Sequence, residues 1–271
     1  MSAVTPSPPT PRSPAHASIW RVAMAIAWRS VHTYVRRPDL FVPSLLFPLI
    51  FFASFAGGLS ALGKIPGFTF PAGYTAFQFV FVLCQSSMFA GLFTGFTVAM
   101  DFESGFARRL MLAAEDRRGI ALGYAFVGLT RAAITMALIT FVALVFGMKI
   151  TGTGSDILAM YLLAFLLVLV GYGWAAGVAF RFRSIQAGPL MQTPVFLILF
   201  LAPVYVPLGL LKGWIHSVAS YNPATAFLQA GRGLISGVQD QTALAFACAI
   251  GLIVLFGIWM LRGLRRAESM S

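Results

Sequence analysis

The acidic side chains that could perform acid–base or metal chemistry are concentrated in one segment, DFESGFARRLMLAAEDRRG at 101–119. The segment holds four of the eight Asp and Glu residues together with four arginines, so its net charge is zero. Asp101 and Gly105 fit the start of a DxxDG metal-binding pattern, but Ser104 stands where the second Asp is needed. No pair of aspartates follows, so a divalent cation would lack its oxygen ligands.

Other catalytic patterns are also missing from the sequence. The chain has no HExxH and no GxSxG motif, and its three histidines lie outside the apolar segments, which argues against an intramembrane protease. The one GK pair, Gly63–Lys64, is followed by Ile65 and does not form a phosphate-binding P-loop. The sequence therefore predicts no metal, no cofactor and no enzymatic activity on this chain.

The elements that position the charged segment follow from composition. The chain is 59% hydrophobic and 10% charged, whereas soluble domains are about 25% charged. A helix that crosses a bilayer needs about 20 mainly apolar residues. The sequence predicts an all-α polytopic membrane protein with six such helices, at 40–62, 76–100, 119–147, 157–180, 188–209 and 242–262.

Lys and Arg residues are distributed unevenly between the two sides of this six-span arrangement. With the N-terminus inside, 14 of the 19 lie on the inner side, four lie on the outer side, and Arg131 lies within a span. The positive-inside rule then predicts that both termini are cytoplasmic and that 101–119 is the first cytoplasmic loop. The net charge of +11 needs no nucleic-acid partner, and a multi-pass protein of the bacterial inner membrane is expected.

The N-terminal part of the chain divides into a tail and a helix. Residues 1–18 are rich in proline and predict a disordered tail. Residues 19–37 place their basic residues on one face and predict an amphipathic helix in the membrane interface, in contact with lipid. A single transmembrane domain then covers 19–266, and 267–271 is a short cytoplasmic tail. The residues expected to anchor the interfacial helix are Trp20, Arg21, Arg29, Arg36 and Arg37.

The outer segment between spans five and six is too apolar for a solvated loop. Asn222 followed by Pro223 is a favourable helix start, which predicts a helix at about 223–235. With Trp214 before this helix and Arg232 inside it, the segment is expected to form a re-entrant or surface helical hairpin.

Polar and small residues inside the spans have two interpretations each. Arg131 either faces a transport path or extends along its helix to the interface, and Gln85 either lines a path or bonds to a neighbouring helix. The pairs Gly91–Gly95 and Gly173–Gly177 have the spacing that permits close helix contact.

The order of these features resembles the membrane subunit of type-2 ABC exporters, in the daunorubicin-resistance permease group. The resemblance covers about 19–266. It is carried by the basic helix that ends in RRPD, by the D-x-E-x-G…L…R pattern after span two, and by the VPL…W…NP…R…G pattern of the outer segment. The chain departs from the family pattern at AAED, where a proline near position 114 is usual, and at Lys212, where another proline is common.

The resemblance implies an exporter that is driven by ATP bound on separate chains. Two copies, or this chain with a homologue, would pair in the membrane above two ATPase subunits that hold ATP and Mg. The first cytoplasmic loop would form a coupling helix on the ATPase, with Phe106, Leu110 and Met111 as apolar docking points. The residues assigned to coupling are Asp101, Glu103, Gly105, Phe106, Arg108, Arg109, Leu110 and Arg118.

The expected cargo is an amphipathic drug, antibiotic or lipid. Two alternatives stay open. One is export of a polysaccharide or lipo-oligosaccharide by the same fold, and the other is a channel or secondary carrier that acts without an ATPase.

Overall fold

The structure, a computed structural model, describes residues 19–36, 46–66, 68–113 and 118–269. The predicted tail at 1–18, Arg37, the first residues of span one and the last two residues of the chain lie outside the described residues. The regular elements of the described part are all helical. They are α1 (Ile19–Arg36), α2 (Leu46–Lys64), α3 (Gly73–Glu103), α4 (Phe106–Ala113), α5 (Arg118–Val145), α6 (Gly154–Phe182), α7 (Gly188–Phe200), α8 (Trp214–Tyr221), α9 (Pro223–Ser236) and α10 (Thr242–Ser269).

Five of the described helices are long and apolar enough to cross a membrane, namely α2, α3, α5, α6 and α10. They correspond to predicted spans one to four and six. Helix α2 changes to a π-helical turn at Ala53–Gly58 and to a 3-10 turn at Ser60–Lys64. Helix α10 continues to Ser269, so the predicted tail at 267–271 begins inside a helix.

The helix predicted for span five, 188–209, is wrong in its second half. Helix α7 ends at Phe200, and the following residues form turns and one 3-10 turn at Leu208–Leu210. Pro203 and Pro207 lie in this stretch. Proline lacks the backbone N–H and restricts the residue before it, so this stretch cannot continue a regular helix. The count of six spans therefore stays a prediction.

Helix α3 is the centre of the bundle, and glycines bring it into direct backbone contact with α6. A Cβ atom on Gly91 would overlap the Val168 carbonyl oxygen, and one on Gly171 would overlap that of Met88. A Cβ atom on Gly177 would likewise overlap the indole of Trp259 on α10. The small-residue pairs found in the sequence thus serve contacts inside one chain.

Helix α1 rests on α5 through a narrow strip of small and apolar residues. Ala23 and Ile26 are buried in this contact, and Gly123 receives them because it has no side chain. Trp20 and Trp28 remain 61% and 75% exposed. The predicted helix is therefore present, its apolar residues divide between a partner helix and the surface, and its position in the membrane interface stays a prediction.

Candidate functional site

The charged segment forms a sharp turn and a short helix. Helix α3 ends at Glu103, and Gly105 takes a left-handed conformation with φ +72° before α4 begins. Glycine is the usual residue at such a helix end because it has no Cβ to clash with the backbone. Residues 101–103 are thus part of α3, and Arg118 is the first residue of α5. The acidic residues at 115 and 116 lie outside the described residues.

Asp101 and its partner Arg29 together connect four helices at this end of the molecule. Arg29 of α1 donates from Nη2 to Asp101 Oδ2 at 2.8 Å, and Tyr124 of α5 donates its hydroxyl to the same oxygen at 2.5 Å. The Arg29 guanidinium also stacks over the Phe106 ring of α4, at 3.8 Å from its centroid. We call Arg29, Asp101, Phe106 and Tyr124 the Asp101 cluster. The cluster contains Arg29, which the sequence assigned to lipid contact, together with Asp101 and Phe106, which it assigned to coupling.

Glu103 connects α3 with the loop between α6 and α7. Its Oε1 accepts hydrogen bonds from the Ser184 hydroxyl at 2.7 Å and from the Ile185 backbone N–H at 2.8 Å. These bonds fix the start of the 3-10 turn at Ile185–Ala187. Both acids that precede α4 therefore bind elements of their own chain.

The buried side of α4 includes one residue that was expected to dock on a partner. Met111 is only 2% exposed and Ala107 only 4%, so both belong to the core. The expectation that Met111 is an apolar docking point is wrong, because α4 turns this residue toward the bundle. Leu110 also packs against the core, and Phe106 is covered by Arg29.

The outward side of α4 carries two positive charges and one large apolar side chain. Arg108 and Arg109 are exposed, and Leu112 is 72% exposed. We call these three residues the α4 surface. Leu112 was not singled out from the sequence, since the orientation of α4 on the bundle decides which of its leucines faces outward.

Gln85 and Arg131, the two polar candidates inside the spans, line the same small cavity of about 10 Å³. A cavity of this size has room for about one water. Gln85 is 1% exposed, and neither its amide oxygen nor its amide nitrogen has a hydrogen-bond partner within the described ranges. The interpretation that Gln85 bonds to a neighbouring helix thus has no support there.

Aromatic rings and two hydroxyl groups line this cavity, and both hydroxyl groups already donate a hydrogen bond within their own helix. The rings belong to Phe47, Phe89 and Phe93. Ser86 donates to the Val82 carbonyl at 2.5 Å, and Thr135 donates to the Arg131 carbonyl at 3.0 Å, each within its own helix. A buried amide without partners is costly, so a polar partner in this cavity, for which one water is large enough, would stabilise Gln85.

At the opposite end of α3, Arg232 is 6% exposed and is held by backbone carbonyls. Its guanidinium donates to the carbonyl oxygens of Phe77 at 3.4 Å, Pro203 at 2.8 Å and Val204 at 3.2 Å, and it stacks over the Phe77 ring. We call Phe77, Pro203, Val204 and Arg232 the Arg232 cluster. Burial lowers the pKa of Arg232 to about 9, so the side chain stays protonated at neutral pH.

The helix predicted after Asn222 is present as α9. Asn222 Oδ1 accepts from the Ala224 backbone N–H at 2.9 Å, and its Nδ2 donates to the Ile198 carbonyl at 2.6 Å. Pro223 is the first residue of the helix, as the sequence pattern indicated. Trp214 begins α8 and is 71% exposed, whereas almost all of α9 is buried.

The chain is similar to a known protein family over most of its length. Residues 21–235 match the family described as ABC-2 type transporter. The matched range contains the Asp101 cluster, α4, the Gln85 cavity and the Arg232 cluster. No curated protein matches the chain.

Proposed function

The chain belongs to the ABC-2 type transporter family, and we propose that it is the permease subunit of an ATP-driven exporter of the drug-resistance group. Two copies, or this chain and a homologue, pair in the bacterial cytoplasmic membrane with both termini in the cytoplasm. Two separate ATPase subunits bind ATP and Mg and supply the energy. The cargo is an amphipathic drug, antibiotic or lipid.

The α4 surface is the observation that supports this proposal. A segment that receives a push from an ATPase needs an exposed contact face and a firm connection to the spans. Arg108, Arg109 and Leu112 provide the face, and the positive charge of the two arginines suits an acidic groove on the ATPase. The Asp101 cluster and the bonds of Glu103 provide the connection, because they fasten both sides of the turn before α4.

The Gln85 cavity supports an amphipathic cargo. Its phenylalanine rings suit an apolar body, and Gln85 and Arg131 suit a polar or anionic group on that body. The cavity in its present form admits little more than a water, so the cargo enters only when the spans separate.

The experiment that tests the proposal pairs the purified permease with P-loop ATPases from the same genome. The double variant R108E/R109E reverses the charge of the α4 surface without touching the core. We expect ATPase co-purification and cargo-stimulated ATP hydrolysis to fall about tenfold or more, whereas the fold is unchanged, because exposed substitutions usually change stability by less than about 0.5 kcal/mol.

A matched control reverses two exposed lysines that lie far from α4, in the variant K149E/K212E. This control loses the same amount of positive charge, and we expect it to keep ATPase binding. If R108E/R109E binds the ATPase and transports as well as the wild type, α4 is not the coupling element. Transport by the chain alone, with no ATPase, would instead establish a carrier or channel.

A further inference from the structure

A basic cavity of about 660 Å³ lies between the ends of α6 and α10, and its lining shares no residue with the Gln85 cavity or with α4. Arg181 of α6 and Arg262, Arg265 and Arg266 of α10 line it. No acidic side chain lines the cavity among the residues that the structure describes. The three α10 arginines follow residue 235, where the family match ends.

The innermost arginine of this cavity is fixed in place. Arg181 donates from Nη1 to the Gly177 carbonyl at 2.6 Å and from Nη2 to the Trp259 carbonyl at 3.0 Å. Its guanidinium stacks over the Trp259 ring at 3.4 Å, and the Trp174 ring stacks on that of Trp259 with 6.0 Å between centroids. A guanidinium has five N–H donors, so donors remain for a ligand at a site that is already ordered.

The surface next to the cavity is apolar and exposed. On α10, Val254, Leu255 and Ile258 are 56%, 58% and 45% exposed, about one to two turns before the arginines. In a chain that crosses a membrane, such a surface contacts acyl chains. A basic cavity at the end of an acyl-contacting surface fits a ligand with an anionic head and an apolar tail.

We propose that the cavity lined by Arg181, Arg262, Arg265 and Arg266 binds the phosphate headgroup of an anionic phospholipid of the surrounding bilayer. The arginine side chains offer paired N–H donors that match phosphate oxygens. Trp259 and Trp174 form the wall at headgroup depth, where tryptophan is favoured.

The test measures lipid binding by the full-length permease alone in mild detergent. Native mass spectrometry follows titration with phosphatidylglycerol, with phosphatidylcholine, and with soluble glycerol phosphate. We expect the wild type to retain phosphatidylglycerol in preference to phosphatidylcholine. The variant R262Q/R265Q should bind phosphatidylglycerol roughly 30-fold more weakly, since each basic side chain near an anionic lipid contributes about 1 kcal/mol.

Two further variants separate a built site from general charge. R262K/R265K keeps both charges but loses the paired donors, so an intermediate affinity is expected. K149Q/K212Q removes two exposed charges from the other end of the spans and should bind phosphatidylglycerol like the wild type. An equal loss in R262Q/R265Q and K149Q/K212Q would overturn the proposal, because it would show attraction by net charge only.

Binding of glycerol phosphate as tight as that of phosphatidylglycerol would also overturn it, since the ligand would then be a free phosphate compound. Equal affinity of the wild type for phosphatidylglycerol and phosphatidylcholine would also overturn the proposal. This comparison needs no variant, so it holds even if an arginine variant fails to fold. The readout involves no ATPase and no transport, so its outcome is independent of the exporter proposal.

Discussion

The two ends of α3 are fastened by different chemistry. At the Asp101 cluster a carboxylate pairs with Arg29, whose side chain is 40% exposed. At the Arg232 cluster a buried cation is held by neutral carbonyls of three residues. A partly exposed ion pair contributes about 1 kcal/mol and weakens in salt, whereas hydrogen bonds from a buried cation to neutral carbonyls are screened much less. The fastening at the first end should therefore weaken in salt, whereas that at the second end should not.

The variant R232A, at the second end, should cause the largest loss of stability. It removes the Arg232 hydrogen bonds to three carbonyl oxygens, of which that of Val204 keeps Gln78 as a donor, and it opens a cavity over Phe77. We therefore expect a loss of about 3–5 kcal/mol in the free energy of unfolding. Thermal unfolding of the purified protein in detergent measures it. R232K keeps the charge but lacks the planar set of N–H donors. Its free energy of unfolding should therefore lie between those of R232A and the wild type. An R232A protein as stable as the wild type would remove the distinction between the two ends.

The variant G91A tests the middle of α3, on which both ends depend. The new Cβ would overlap the Val168 carbonyl oxygen and would lie 2.5 Å from the Tyr172 backbone nitrogen. Backbone atoms cannot move aside as a flexible side chain can, so we expect a loss of about 3 kcal/mol. Gly251 on α10 is the control, because a Cβ atom there would meet nothing within 4 Å, and G251A should be neutral or stabilising by up to about 1 kcal/mol. Equal effects of the two changes would contradict close α3–α6 packing.

The variant D101A should cost less, about 1–2 kcal/mol. It removes the half-exposed ion pair and leaves the buried Tyr124 hydroxyl without an acceptor. A double-mutant cycle with R29Q isolates the pair and should give a coupling of about 1 kcal/mol or less. In roughly 1 M salt the R29Q effect should shrink and the R232A effect should not. Equal salt dependence would show that the two ends do not differ in kind.

The variant L112S should have the smallest effect on stability, below about 0.5 kcal/mol, because Leu112 is 72% exposed. Its effect is expected in ATPase co-purification, where a large apolar contact is lost. The buried neighbour Met111 is the matched comparison, since M111S should destabilise the fold by about 2 kcal/mol or more. A variant L112S that unfolds like M111S would place Leu112 in the core.

The sequence was sufficient to predict what depends on local pattern. Long apolar segments predicted both ends of α3, α5 and α6 to within three residues, and Asn222–Pro223 predicted the start of α9. Rare polar residues within apolar segments gave Gln85 and Arg131, which share one cavity. Each of these predictions depends on spacing or composition within a few helical turns.

The partners of Asp101 and Arg232 could not be predicted in this way. Arg29 and Tyr124 are 72 and 23 residues from Asp101, and their contact exists only because α1 packs on α5 beside the end of α3. The carbonyls of Pro203 and Val204 bind Arg232 because α7 ends at Phe200, which hydrophobicity alone did not reveal. Such contacts depend on tertiary packing between distant segments, which leaves no periodic pattern of residues in the sequence.

Helix α3 runs without a break from Phe77, in the Arg232 cluster, to Asp101, a distance of about 36 Å at 1.5 Å per residue. It has no proline, and 89% of the residues in its most apolar stretch are buried by neighbouring elements. Such a helix is expected to move as one rigid element. We therefore expect a displacement applied near Asp101 to be transmitted along α3 to the carbonyls around Arg232 at the far end.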